Sequence, residues 1–229
     1  ISTGTALFNP EFVTKCKNKD YVLKLGHRKD KGYKYYVGVD PAISTDGDYN
    51  VITVLEVDEN MNKTIVHVDR AKNVQFRENI EKIRLIGKIF EPEEILYETN
   101  TFAKAFTQEL RNISDLNVTD FNTTRKRKQE IILNLQMNIE NGKINFPYGD
   151  NSSKKLTNML IEELSMFSIT HSGKFEGVGA HDDLVMSLAL ANAATQKSQD
   201  VFMLLDDMGL FDSPKPTNNS LGGMLGLNF

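Results

Sequence analysis

The sequence predicts an α/β protein in which a mixed central sheet, an antiparallel three-strand meander continued by parallel strands, is flanked by helices. Three observations carry this expectation. Strand-like runs at 33–39, 51–57 and 64–71 follow one another with no helical pattern between them, as a meander requires. After them, apolar stripes of helical period alternate with short β-branched runs, which is how parallel strands are reached through crossovers. Finally, two strand-like runs end in acids, Asp40 and Glu98, and a late helix rich in small residues opens on Asp182 and Asp183.

Residues 1–32 are mixed and charged and are expected to form a lead-in segment rather than a domain. Tyr33-Lys34-Tyr35-Tyr36-Val37-Gly38-Val39 is aromatic and β-branched, and Pro41 stops it with Asp40 at its carboxyl end. A polar loop over 42–50 carries Asp46 and Asp48. The next two strands are joined by Asp58-Glu59-Asn60-Met61-Asn62-Lys63, a hairpin with a loop longer than two residues. Over 75–90, Ile80, Ile83, Ile86 and Ile89 keep a helical stripe that Glu91-Pro92 breaks. A short strand at 94–98, a helix at 102–111 and a strand at 117–121 follow.

Thr123 or Thr124 then caps a helix over 125–140, which Asn141-Gly142 ends. An extended segment at 143–147 leads to a helix over 152–166, with Leu156, Leu160 and Leu164 at every fourth position. Residues 167–177 read as a loop or hairpin, and the Asp182-Asp183 helix runs to about Gln196. Past Ser198 the composition turns linker-like, with Ser213-Pro214-Lys215-Pro216 at its centre. The expected organisation is a lead-in at 1–32, one domain at 33–197 and a tail at 198–229.

Composition narrows the function. The 229 residues, 40% of them hydrophobic, suffice for one substantial core. A net charge of -4 gives no global basic signature, so a nucleic-acid partner must be held by a local patch. The single Cys16 excludes an internal disulfide framework. No run approaches the roughly 18 apolar residues of a membrane helix, and no signal peptide or Walker A loop is present. The start at Ile1 reads as a fragment or a processed product.

The chemistry lies in the acids. Open α/β sheets bind ligands outside the carboxyl ends of their strands, where Asp40 and Glu98 are expected. Asp182 or Asp183 would complete an oxygen-rich cluster; neighbours on a helix point about 100° apart, so the residues alone leave open which one faces it. Crowded carboxylates require a cation between them, and hard ions such as Mg²⁺ or Mn²⁺ suit an all-oxygen set better than zinc does. Two such ions about 4 Å apart would activate water and stabilise the leaving oxygen of a phosphodiester displacement. Singly, a strand-end acid more often solvates a loop, and acids in a first helical turn complement the dipole. Their joint placement points to a site.

Secondary candidates have plainer readings beside them. Asp46 and Asp48 would make outer-shell contacts or form a solvated turn. His181 would orient a water or a ligand, or open the helix with no role. Lys104, six residues after Glu98, would meet a phosphate or lie solvated on its helix. Arg125-Lys126-Arg127-Lys128 is the one dense basic run. Four cations at a helix start oppose the dipole, which points to an outside anion such as DNA phosphate. Aromatic residues do not interleave it, which argues against a stacking platform for single strands.

The runs Val37-Gly38-Val39-Asp40-Pro41-Ala42, Leu96-Tyr97-Glu98-Thr99-Asn100 and Gly179-Ala180-His181-Asp182-Asp183-Leu184-Val185-Met186-Ser187-Leu188-Ala189 resemble the three acidic motifs of the nuclease domain of phage large terminases. The resemblance covers roughly 33–196, and the third motif is the most specific. It implies a ribonuclease H-like fold and an endonuclease that uses two divalent ions, Mg²⁺ or Mn²⁺, to cut concatemeric double-stranded viral DNA during packaging. By this resemblance Asp40, Glu98 and Asp183 are the catalytic, metal-ligating acids, with Asp182 a fourth candidate. It also implies a packaging ATPase domain, a portal and a small terminase subunit as partners, and the host cell cytoplasm as the place of action. Large terminases carry an amino-terminal ATPase that has no counterpart in this sequence, so the activity expected is nuclease only. The alternatives are another ribonuclease H-like nuclease, such as a Holliday-junction resolvase or transposase-like enzyme, and a non-catalytic DNA-binding or assembly module.

Overall fold

The computed structural model describes residues 5–24, 30–42, 49–99, 103–170, 173, 175–177 and 182–196. In chain order the elements are β1 (Thr5–Ala6), α1 (Pro10–Lys15), β2 (Lys17–Asn18), β3 (Lys34–Asp40), β4 (Tyr49–Val57) and β5 (Lys63–Lys72). Then come α2 (Phe76–Phe90), β6 (Glu94–Thr99), α3 (Ala103–Ile113), β7 (Val118–Asn122) and α4 (Arg125–Glu140). The rest is β8 (Ile144–Pro147), α5 (Asn151–Met166), β9 (Phe167–Ile169), β10 (Phe175–Gly177) and α6 (Asp183–Ala194).

Seven strands form one sheet in the order β2-β8-β5-β4-β3-β6-β7. The meander is its antiparallel half: β3 pairs with β4 and β4 with β5. Parallel pairs extend it on both sides, β3 with β6, β6 with β7, and β5 with β8. The fold class is therefore the mixed sheet that the sequence predicts. Within 167–177, open between loop and hairpin in the sequence, Phe167–Ile169 (β9) pairs antiparallel with Phe175–Gly177 (β10) and also takes β1.

Strand alternation sorts side chains into two layers. Val37 and Val39 of β3, Ile52 and Val54 of β4, and Ile95 and Tyr97 of β6 pack with Ile80, Ile83 and Phe90 of α2 and Phe106 and Leu110 of α3. The opposite face meets α4, α5 and α6. By the same alternation Asp40 and Glu98 belong to this second face.

Helix α6 is the centre of that layer. Leu184, Val185, Met186, Leu188, Ala189, Leu190 and Ala191 are all buried, so no side of the helix faces water. It packs on β3, β4, β6, α4 and α5. Ser187 Oγ lies 2.8 Å from Thr53 Oγ1, and the Asn192 amide nitrogen donates to Asn134 Oδ1 at 2.6 Å, so polar contacts as well as apolar ones seat the helix.

The first residues take part in this packing, which their composition does not announce. Phe8, Val13 and Cys16 are buried in the layer beneath α4 and α5, and β2 joins the sheet edge beside β8. Asn9 caps α1 by accepting from the Glu11 amide at 2.9 Å, and Pro10 occupies the first helical position. A helix of six residues is too short to display a period, and only this capping signal marks it in the sequence. Among the described residues no helix is long and apolar enough to cross a membrane.

Candidate metal centre

Backbone pairing brings the first two acids together. In the parallel register Gly38 faces Leu96 and Val39 faces Tyr97, so one further step sets Asp40 beside Glu98. Their side chains share a hydrogen bond. Asp183 opens α6, which lies on this face, and Asp182 is its N-cap residue. Burial pushes the Asp40 carboxyl well above the ordinary carboxylate range, helped next by Glu98 and then by Asp183 and Asp182. Three acids, one from a neighbouring strand end and two from a helix start, therefore bear on Asp40.

The phase of α6, which residue spacing leaves open, is settled by packing. Asp183 is buried and its Oδ2 accepts from the Tyr49 amide at 3.2 Å, at the start of β4. Asp182 turns the other way, where its Oδ2 meets Lys128 Nζ at 2.9 Å. Among the described residues no three His, Cys, Asp or Glu side chains stand close enough together to hold a metal ion as they are placed.

A supporting network lies beneath the acids. Glu163 of α5 accepts from the Leu184 and Val185 amides at 2.8 and 3.3 Å and so caps α6 from a neighbouring helix. Arg70 lies 3.8 Å from the other Glu163 oxygen and stacks 3.3 Å over the Tyr49 ring. Burial, partly offset by the two amides and Arg70, raises the Glu163 carboxyl to about 7. Sequence reasoning passes over Glu163 and Arg70. The signal was available: Glu163 lies on the apolar stripe of α5, between Leu160 and Leu164, where an acid requires a partner.

The basic candidates divide. Lys128 joins the acids through Asp182, which makes it more than the DNA-contacting residue that its run suggests. Arg127 stacks 4.1 Å over the Phe121 ring at the end of β7. Arg125 and Lys126 are exposed on the first turn of α4, and Lys104 is exposed on the first turn of α3. Thr124, not Thr123, caps α4, accepting from the Arg127 amide at 3.3 Å. A cavity of about 250 Å³ opens here, lined by Thr123, Thr124, Arg125, Lys128, Phe175 and Glu176. His181, Asp46 and Asp48 lie outside the described residues.

The donor set suits a hard cation. It is all oxygen, and Asp40 is raised by burial first and then by its acidic neighbours, whose charge a bound cation would offset.

Comparison with known proteins gives the same outline. The family model described as Terminase RNaseH-like domain matches residues 37–194. The large terminase nuclease from thermophilic phage G20c is 22% identical, with a TM-score of 0.65 over 82% of this chain and 97% of that one. The same nuclease with bound magnesium is 22% identical, with a TM-score of 0.64 over 82% and 98%. The nuclease domain of the large terminase subunit gp2 of bacterial virus Sf6 is 11% identical, with a TM-score of 0.57 over 82% and 98%. Among curated proteins, none matches.

Proposed function

The chain belongs to the terminase RNaseH-like domain family, and from that premise we propose that it is a divalent-metal-dependent endonuclease cutting double-stranded viral DNA during genome packaging. The observation that carries this reading is the placement of Asp40 beside Glu98 at the carboxyl edge of the sheet, with Asp183 and Asp182 close enough to act on Asp40. Further support comes from the G20c nuclease, which is known with bound magnesium, cobalt and zinc.

Asp40, Glu98 and Asp183 would hold two ions, Mg²⁺ or Mn²⁺, with Asp182 as a fourth ligand. When bound, such a pair supplies a water ionised near neutral pH and a counter-charge for the leaving oxygen. The chain's own residues do the positioning. The Tyr49 amide holds Asp183, Glu163 and Arg70 brace the start of α6, and Arg125, Lys126, Arg127 and Lys104 would bind DNA phosphates. His181 and Asp48 would make outer contacts to the ions or their waters. In this reading 33–197 is the nuclease unit, 1–32 a lead-in whose β1, α1 and β2 pack onto it, and 198–229 its tail. It would work in the host cytoplasm with a packaging ATPase domain, a portal and a small terminase subunit.

The test is cleavage of supercoiled and linear plasmid with Mn²⁺, Mg²⁺ or chelator. Metal-dependent cutting is expected, falling at least about a hundredfold in Asp40→Asn and in Asp183→Asn. Cutting that survives chelator, or that both variants retain, would overturn the proposal. A strong preference for four-way junctions over duplex would move the chain to the resolvase reading.

A further inference from the structure

We infer that Phe76, at the start of α2, is a stacking platform for an unpaired nucleobase, on the far face of the sheet from the acids. This rests on the nuclease reading above and adds to it a binding site for locally opened DNA.

The ring stands at the top of an aromatic column that rises from the core. Buried Tyr97 stacks on buried Phe106, with ring centroids 4.7 Å apart and planes 25° apart. Phe106 meets Phe76 edge-to-face, with centroids 5.1 Å apart and planes at 82°. Such a contact covers at most one face of a ring, and Phe76 is 45% exposed. Asn79, one turn further along α2, fixes the base of the column. Its Nδ2 donates to Asn50 Oδ1 at 2.8 Å and to Tyr97 Oη at 3.4 Å. The ring is therefore held in place before anything binds, which lowers the cost of binding.

Topology puts the platform on the edge where DNA is expected. Lys72, the last residue of β5, pairs with Tyr49, and Asp40 pairs with Val51, so α2 starts at the carboxyl edge. Alternation along β6 sends Tyr97 and Glu98 to opposite faces, so only the sheet separates the column from the acids. Arg77 and Lys104 are exposed on the first turns of α2 and α3. Glu78, the acid in the first turn of α2, is drawn to Lys82 at 3.5 Å. The surroundings thus favour an anion, while the ring offers an apolar face. An unpaired nucleotide meets both needs; a paired base does not, because its faces are covered within the duplex. An apolar protein segment would fill the ring face and leave the cations unmatched. Stacking on an aromatic ring is tolerant of sequence, so the platform selects DNA whose strands have parted rather than a particular base. The aromatic partner missing from the basic run of α4 is supplied from α2.

The experiment is fluorescence anisotropy of the full chain, in chelator so that no strand is cut, on two probes. One is a fully paired duplex; the other is the same duplex with a short unpaired bulge carrying 2-aminopurine. Wild type should bind the bulged probe about tenfold more tightly, and stacking should quench the 2-aminopurine. Phe76→Ala, and Phe76→Leu, which keeps an apolar contact with Phe106, should lose the preference and the quenching. Their affinity for the paired duplex should stay within about twofold of wild type, and Phe76→Tyr should keep the preference. An equal loss on both probes, or a preference that survives in Phe76→Ala or Phe76→Leu, would overturn the inference and leave the ring to a protein partner. A wild type that cuts plasmid with metal yet binds the bulged probe no better than the paired one would overturn this inference alone. A wild type that neither binds the probes nor cuts plasmid with Mn²⁺ or Mg²⁺ would remove the nuclease reading and this inference with it.

Discussion

Among single residues, the protonation of Asp40 and Glu163 ties stability to pH. Both carboxyls are raised, Asp40 by burial and then its acidic neighbours, Glu163 to about 7 chiefly by burial. A raised acid binds its proton more tightly folded than unfolded, so its stabilising contribution is present below the unfolded value and lost as pH rises through the folded one. In chelator the melting temperature should therefore rise as pH falls from about 8 towards about 5. Millimolar Mg²⁺ or Mn²⁺ should stabilise the upper end of that range, where the acids are charged. A chelated protein that melts lower at pH 5 than at pH 8 would contradict this assignment. Glu163 also has a geometric role. Glu163→Ala leaves the Leu184 and Val185 amides uncapped and should cost about 1–3 kcal/mol in urea denaturation, with Glu163→Gln losing less.

The element that matters most is α6, and its position depends on the absence of a side chain in β3. A Cβ at Gly38 would lie 2.1 Å from Ser187 O and 2.3 Å from Ala191 N, both backbone atoms of α6. The helix is buried on all sides and has little room to retreat. Gly38→Ala should therefore push α6 off the sheet, destabilise the fold by about 1–3 kcal/mol and weaken Mn²⁺ binding by moving Asp183. Unfolding and metal titration on the same variant check both effects; wild-type values in each would show that the contact is slack. The sequence marks α6 as a buried helix because it is apolar all round. The same uniformity removes the polar face that would have phased it, which is why Asp182 and Asp183 are equivalent in the sequence and different in the fold.

For the whole molecule, the question is how a chain of net charge -4 would bind a polyanion. The basic run at the start of α4 stands beside the carboxyl edge of the sheet, because β7 delivers the chain there: Asn122 pairs with Thr99, one residue past Glu98. Replacing Arg125, Lys126 and Arg127 together by alanine, with Lys128 left intact, should weaken duplex binding. Each lost phosphate contact should flatten the slope of log affinity against log salt by about 0.9. Fluorescence anisotropy over a salt series gives that slope; an unchanged value would place the DNA path elsewhere. The opening residues show a limit of composition at this scale. Phe8, Val13 and Cys16 complete the core, yet nothing in a short charged stretch signals which distant surface its few apolar side chains will cover.

By itself the sequence determined the mixed α/β architecture, the strand-end placement of Asp40 and Glu98, and the helix that begins at the acid pair. These follow from local rules: alternation, helical period, proline and capping act over a few residues and are written where they act. Tertiary structure alone decided that Asp183 faces β4 while Asp182 turns to Lys128, that Glu163 caps α6, and that the opening residues join the core. Those outcomes depend on contacts between residues far apart in the chain. Such contacts are chosen by the shape that packing leaves available, and no short pattern encodes that shape.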